Sequence, residues 1–176
     1  AVGVEMLKIL EERKFPIASL TLLASERSAG KKVRFGGKTL TVKKLDENSF
    51  AGIDIVLASA GGSLSKQFAP AVIKAGAVMI DNTSAFRMHP DVPLVIPEIN
   101  PQAIRDQKGI IANPNCSTIV ALVALNPLHK AAKLRRFNVA TYQAASGAGA
   151  QAMEELRVQA GEILAGKQPT KKIFKH

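Results

Sequence analysis

Two short apolar runs constrain the fold of this chain more than any other feature. IDIVLAS (53–59) and AVMID (77–81) are each about one strand long, and a stretch of helical character from about Ser65 to Ala75 lies between them. A strand apolar on both faces is covered on both, which is the habit of parallel sheets. Parallel neighbours need a long crossover, usually a helix. Other runs repeat the theme: LTLLA (20–24) reads as a short buried strand, GIIA (109–112) as another, and FNVATYQAAS (137–146) as a third. VRFGGKTLTV (33–42) alternates around Gly36-Gly37 and reads as a hairpin. Strand alternating with helix predicts an α/β fold with a parallel sheet over the first two-thirds, with IDIVLAS in a central position.

Helical spacing joins Val4, Leu7, Leu10 and Glu11, with Met6 and Ile9 widening the stripe, until Phe15-Pro16. VPLVIPEIN with Pro101 carries three prolines and suits an extended crossing at best; PQAIRDQ follows as a short helix. Ser117 to His129 is a helix that Pro127 should kink or end early, with Ile119, Val120, Leu122, Val123 and Leu125 as expected core. Gly147-Ala148-Gly149 precedes a helix from about Ala150 to Leu164, whose Met153, Leu156 and Ile163 read as core or dimer surface. The change of character near residue 130 predicts domains at 1–130 and 131–176. The first helix starts without a capping residue and KKIFKH ends without a cap, so the sequence is expected to continue at both ends.

With 47% apolar and 22% charged residues the chain can build a core. One cysteine excludes an intrachain disulfide and fits a reducing compartment. No apolar run reaches the roughly 18 residues of a membrane span, and AVGVEMLKIL lacks a signal peptide's basic start. A soluble, cytoplasmic protein with no membrane partner is expected. The net charge of +10 is scattered in ones and twos, and with no Trp and one Tyr it favours small anionic ligands over nucleic acid. No metal site is expected.

The lone thiol stands at a strand-to-helix junction, in GIIANPNCSTI. Helix amino termini favour ionised sulfur, and their unpaired N–H groups can hold an oxyanion. A lone cysteine is also a common inert hydrophobe. Companion segments favour chemistry: small or anion-friendly residues follow three strands, at Ser25–Gly30, Ser59–Ser63 and Asn82–Arg87. Ligands of doubly wound sheets sit outside the carboxyl ends of strands. Arg27 with Ser28 stands where a cation can meet the 2′-phosphate of NADP, although Glu26 is discordant.

GIIANPNCSTI, MIDNTSAFR, LASERSAG, LASAGGS and TYQAASGAGAQAMEEL, in that family's order along the chain when sorted by position, resemble aspartate-β-semialdehyde dehydrogenase. The resemblance implies the start of an α+β catalytic and dimerisation domain after a Rossmann-type doubly wound domain, and a homodimer when full length. It implies reversible, NADP-dependent reductive dephosphorylation of 4-aspartyl phosphate to aspartate semialdehyde, in lysine, methionine and threonine biosynthesis. Cys116 would carry the acyl thioester, Gln143 would position the substrate, and Arg87 and Asn115 would hold phosphate. Ala1 and Val2 would belong to the pyrophosphate turn, Arg27 and Ser28 to the 2′-phosphate site. Ser59, Ala60, Gly61, Asn82, Ser146 and Gly147 would line the dinucleotide.

The family's histidine acid–base lies well beyond Gln143, with a carboxylate-binding arginine nearby. His89, His129 and His176 do not match its context, so this polypeptide by itself is expected to be inactive. N-acetyl-glutamyl-phosphate reductase, which shares the thioester chemistry, and a non-catalytic Rossmann paralogue are the rival readings.

Overall fold

A computed structural model describes residues 2–174, divided between a unit spanning Val2–Arg136 and a second unit from Phe137 on. In the first unit, helix α1 (Val2–Glu12) leads to strand β1 (Leu23–Ala24), shorter than the LTLLA run. The hairpin forms as its alternation requires: β2 (Lys32–Phe35) pairs antiparallel with β3 (Lys38–Thr41), and Phe35 faces Lys38 across a two-residue loop. Gly36 and Gly37 have φ of 57° and 73°, the left-handed pair that a tight hairpin turn needs. Strand β4 (Lys43–Lys44) then returns to pair parallel with β1.

The apolar runs assemble as strands β5 (Ile55–Ala58), β6 (Val78–Asp81) and β7 (Ile110–Ala112), all parallel, in the order β5-β6-β7. The crossover between β5 and β6 is helix α2 (Gly62–Lys74). It buries Ser65, Phe68, Ala69 and Val72, the i, i+3, i+4, i+7 face of an amphipathic helix. Phe50, Phe68, Ala69, Val72, Ala77, Met79 and Ile110 form the core, with the Phe50 and Phe68 rings 6.1 Å apart. The proline-rich VPLVIPEIN segment contributes one bridge, Leu94 to Ala112, and Pro101–Asp106 forms a 3-10 turn.

Three expectations need correction here. The central strand is β6; β5 lies at an edge of its sheet, with Ile55 and Leu57 exposed. Apolar content reports that both faces suit burial, but not which strands lie alongside. Helix α3 (Cys116–Ala132) does not end at Pro127; it runs on to a left-handed cap at Lys133. A helical proline removes only its own N–H bond and can be spanned by flanking turns. The expected core positions of α3 are not buried either: Ile119, Leu122 and Leu125 are half-buried, Val123 is exposed, and Val120 is 74% exposed. Apolar positions on a helix say that its faces suit burial, and periodicity does not say what buries them.

In the second unit, the expected strand at 137–146 is absent. Residues 137–144 carry no regular structure, and Ala145–Ala148 forms a 3-10 turn. A strand exists only with a partner edge, and among the described residues from Phe137 on there is none. Helix α4 (Ala150–Leu164) forms as predicted, leaving Met153, Leu156 and Ile163 exposed.

Two carboxylates of α4 tie down the segment after it. Glu155 accepts the N–H groups of Lys172, Ile173 and Phe174 at 2.8–3.1 Å, and Glu162 accepts the Thr170 N–H and hydroxyl at 2.7 and 2.8 Å. The Lys172 N–H above all holds Glu155 below the ordinary value of 4.5, and the Thr170 N–H does the same for Glu162. An acid strengthened by folding contributes stability above its unfolded value, lost as pH falls through the folded one. The Ile173 and Thr170 amide proton shifts should therefore hold steady near neutrality, and each should titrate below pH 4.5. In Glu155→Gln the Ile173 shift should be flat across the same range.

Candidate active site

The register of the three-stranded sheet brings three loops to one edge. Ala58 faces Asp81 and Asp81 faces Ala112, so β5, β6 and β7 end side by side. The pairing runs one residue further: Asn82 N–H donates to the Ala58 carbonyl and Asn113 N–H to the Asp81 carbonyl, both at 2.8 Å. Ser59–Gly61, Asn82–Arg87 and Asn113–Cys116 therefore leave the carboxyl edge together. Gly61 has φ +108°, a conformation L side chains rarely adopt, and it opens directly into α2.

Cys116 is the first residue of α3 and is exposed. Asn115 is the helix cap: its side-chain oxygen accepts the Ser117 N–H at 3.0 Å. The amide oxygen is thus committed to the backbone, and the NH2 half remains to meet an anion. Pro114 is buried just before it, anchoring the turn that presents the sulfur.

Arg87 approaches the same turn from the β6 loop. Its Nε donates to the Asn113 carbonyl at 2.9 Å and its Nη2 to the Asn82 carbonyl at 3.1 Å, bridging the exits of two strands. The Asn113 side chain adds a bond to the Asn82 side chain at 2.6 Å. Two of five guanidinium hydrogens are used in these bonds; the other three have no partner among the described residues.

Sequence reasoning overlooked what supports this loop. Asp81 is 0% exposed, and its carboxylate accepts from the Ser65 hydroxyl at 2.9 Å, the Thr83 N–H at 3.0 Å and the Thr83 hydroxyl at 2.8 Å. The Thr83 oxygen in turn accepts the Ala85 N–H at 3.1 Å. An acid ending an apolar strand before Asn82-Thr83-Ser84 was the available signal, since such side chains write tight turns.

The remaining candidates stand as follows. Arg27 and Ser28 lie in a 3-10 turn after β1, Arg27 exposed and Ser28 half-buried. Glu26, the discordant neighbour, pairs with Lys44 at 3.2 Å. Val2 is the first residue of α1, and Ala1 lies outside the described residues. Ser59 is half-buried and Ala60 exposed. Gln143, Ser146 and Gly147 belong to the second unit and are exposed there, with Gln143 donating to the Thr141 hydroxyl at 3.1 Å. His89 sits in the loop after Arg87, its Nδ1 accepting the Asp91 N–H at 3.2 Å; His129 is in the last turn of α3; His176 lies outside the described residues. Among the described residues no helix is long and apolar enough to cross a membrane.

A parallel α/β sheet whose strand ends gather small loops, an arginine and a helix-mounted cysteine defines a dinucleotide-binding class of protein. The chain belongs to the semialdehyde dehydrogenase family: residues 1–107 match its NAD binding domain and residues 125–176 its dimerisation domain. It is 58% identical over 174 residues to the aspartate-semialdehyde dehydrogenase of Synechocystis, covering 99% of this chain and 52% of that one. Among solved structures, aspartate semialdehyde dehydrogenase II of Vibrio cholerae complexed with ASA superposes with a TM-score of 0.89 at 49% identity, covering 99% of this chain and 53% of the other. The Candida albicans aspartate semialdehyde dehydrogenase with NADP gives 0.58 at 27% identity, covering 72% and 44%. The chain spans about half the length of the curated relatives it matches.

Proposed function

We propose that this chain supplies the dinucleotide site and nucleophile of an aspartate-semialdehyde dehydrogenase, a homodimer in the cytoplasm whose domains divide as 1–130 and 131–176. One observation carries the reading: Cys116 stands exposed at the amino end of α3, on the sheet edge where Arg87 joins two strand exits. Its sulfur captures the aldehyde carbon, while N–H groups of the first turn of α3 are suited to the oxyanion that forms. The chemistry a bound NADP supplies is hydride acceptance in the direction from aldehyde to thioester, and hydride donation in the reverse. Phosphate then attacks the thioester carbon, a carbon–sulfur bond breaks, and the sulfur leaves as thiolate with 4-aspartyl phosphate formed. Arg87 and the Asn115 amide hold that phosphate, a cation and a donor for a doubly charged oxyanion.

The residues fit NADP on local grounds. Gly61 gives a backbone that a pyrophosphate can approach closely, and Arg27 is exposed while Lys44 engages the neighbouring acid. Val2, Ser28, Ser59, Ala60 and Asn82 complete the proposed dinucleotide contacts of this unit; on sequence position alone, Ala1, Ser146 and Gly147 are assigned to the cofactor as well and Gln143 to orienting the substrate.

The test uses two preparations. In the 176-residue chain, iodoacetamide should label Cys116 much faster than free cysteine near neutral pH, and phosphate and NADP should each alter the rate. A fusion adding the remainder of the Synechocystis relative should turn over aspartate semialdehyde in preference to N-acetylglutamate semialdehyde. Slow labelling indifferent to both ligands would favour a non-catalytic Rossmann protein, and the opposite preference the N-acetylglutamyl reductase.

A further inference from the structure

The buried acid under the phosphate loop has no part in the chemistry above, yet it touches every segment that delivers Arg87. We propose that Asp81, acting through Thr83, is a positioning residue that sets the guanidinium of Arg87 for anion binding; this rests on the phosphate role assigned to Arg87.

The connection can be followed bond by bond. The Asp81 backbone carbonyl accepts the Asn113 N–H at 2.8 Å, fixing the exit of β7 whose carbonyl Arg87 Nε uses. The Asp81 side chain accepts the Thr83 N–H and hydroxyl, turning the chain immediately after Asn82, whose carbonyl Arg87 Nη2 uses. The Thr83 oxygen then accepts the Ala85 N–H, directing the backbone from Thr83 towards Arg87. Ser65, from the buried face of α2, supplies the other hydroxyl to the carboxylate.

Hydrogen counting shows why the acid is needed. Ser65 and Thr83 have one hydroxyl hydrogen each, and both are best spent on the carboxylate, at 2.9 and 2.8 Å. Their own separation of 3.3 Å is then an approach between two oxygens that the shared acceptor holds together. Without the carboxylate, the buried Ser65 hydroxyl and the half-buried Thr83 hydroxyl and N–H lose their common partner, a penalty for groups withdrawn from water. The loop would relax, and Arg87 could no longer reach both carbonyls. No cation pairs with Asp81 among the described residues; the acid is held by the Thr83 N–H and hydroxyl of this turn and by the Ser65 hydroxyl of α2.

The test reads Arg87 directly in the 176-residue chain. The Arg87 Nε–H proton, bonded to Asn113, should exchange slowly with water by NMR. In Thr83→Val its exchange should quicken about tenfold or more, and the phosphate concentration that half-protects Cys116 from iodoacetamide should rise about tenfold. Thr83→Ser should restore both values, which a purely steric role of the side chain would not predict. If Thr83→Val does not fold, Asp81→Asn provides the same two readouts, changed in the same direction by about threefold. A folded Thr83→Val with wild-type exchange and wild-type phosphate protection would overturn the positioning role. If Arg87→Ala weakens protection while Thr83→Val does not, positioning fails alone; if Arg87→Ala leaves protection unchanged, the phosphate role of Arg87 fails and the proposal with it.

Discussion

Replacing Cys116 with alanine in the fusion protein is expected to lower turnover of aspartate semialdehyde by about 10⁴-fold or more, with little change in stability. The size of the effect follows from the proposed role: the chain has one thiol, and loss of a covalent nucleophile is among the costliest single changes an enzyme suffers. The small cost in stability follows from geometry, because the side chain is exposed and the helix cap is made by Asn115 instead. Turnover and thermal midpoint measured together check both halves. A retained thermal midpoint with retained turnover would remove the thioester from the scheme. Cys116→Ser should also be nearly inactive, since an alcohol ionises far less readily than a thiol and the turn offers no neighbouring base among the described residues. NADP binding should survive in both variants, because the proposed dinucleotide contacts lie on other loops.

Arg87→Ala should reduce phosphate-dependent turnover by about 10²- to 10³-fold, the usual range for removing a charged donor from a reacting oxyanion. The structural share of the loss is as instructive as the chemical one. The side chain bridges the carbonyls of Asn82 and Asn113, so its removal frees the two strand exits that flank the nucleophile's turn. Arg87→Lys should rescue little, because a point charge with one nitrogen cannot span two carbonyls and still face an anion. The discriminating measurement is the dependence on phosphate: Arg87→Ala should raise its KM as well as lower kcat, whereas an arginine that only stapled the loop would leave the phosphate KM unchanged. Arsenate, which has the same shape and charge, should show the same pattern.

Much of the architecture was legible in the residues. The Gly36-Gly37 hairpin, the crossover helix and three parallel strands follow from turn chemistry and from the period of apolar side chains, which act over a few residues. The position of Cys116 at the head of α3 was legible for the same reason, since Asn-Pro-Asn breaks the strand and caps the helix locally. FNVATYQAAS misled because its strand-like composition is only a preference; a strand needs an edge to bond, and the second unit provides none among its described residues. The α3 core positions misled because apolarity says that a face suits burial without naming what buries it.

On its own, then, the sequence determined the α/β class, the elements of the sheet edge and the thiol at a helix start, because each depends on neighbours within a turn or two. Only the tertiary structure decided that β6 is central, that Asp81 sits fully buried among Ser65 and Thr83, and that Arg87 links Asn82 to Asn113. The Ser65–Asp81 and Arg87–Asn113 contacts join residues 16 and 26 positions apart on separate elements, and register, which no local pattern encodes, is what brings them together.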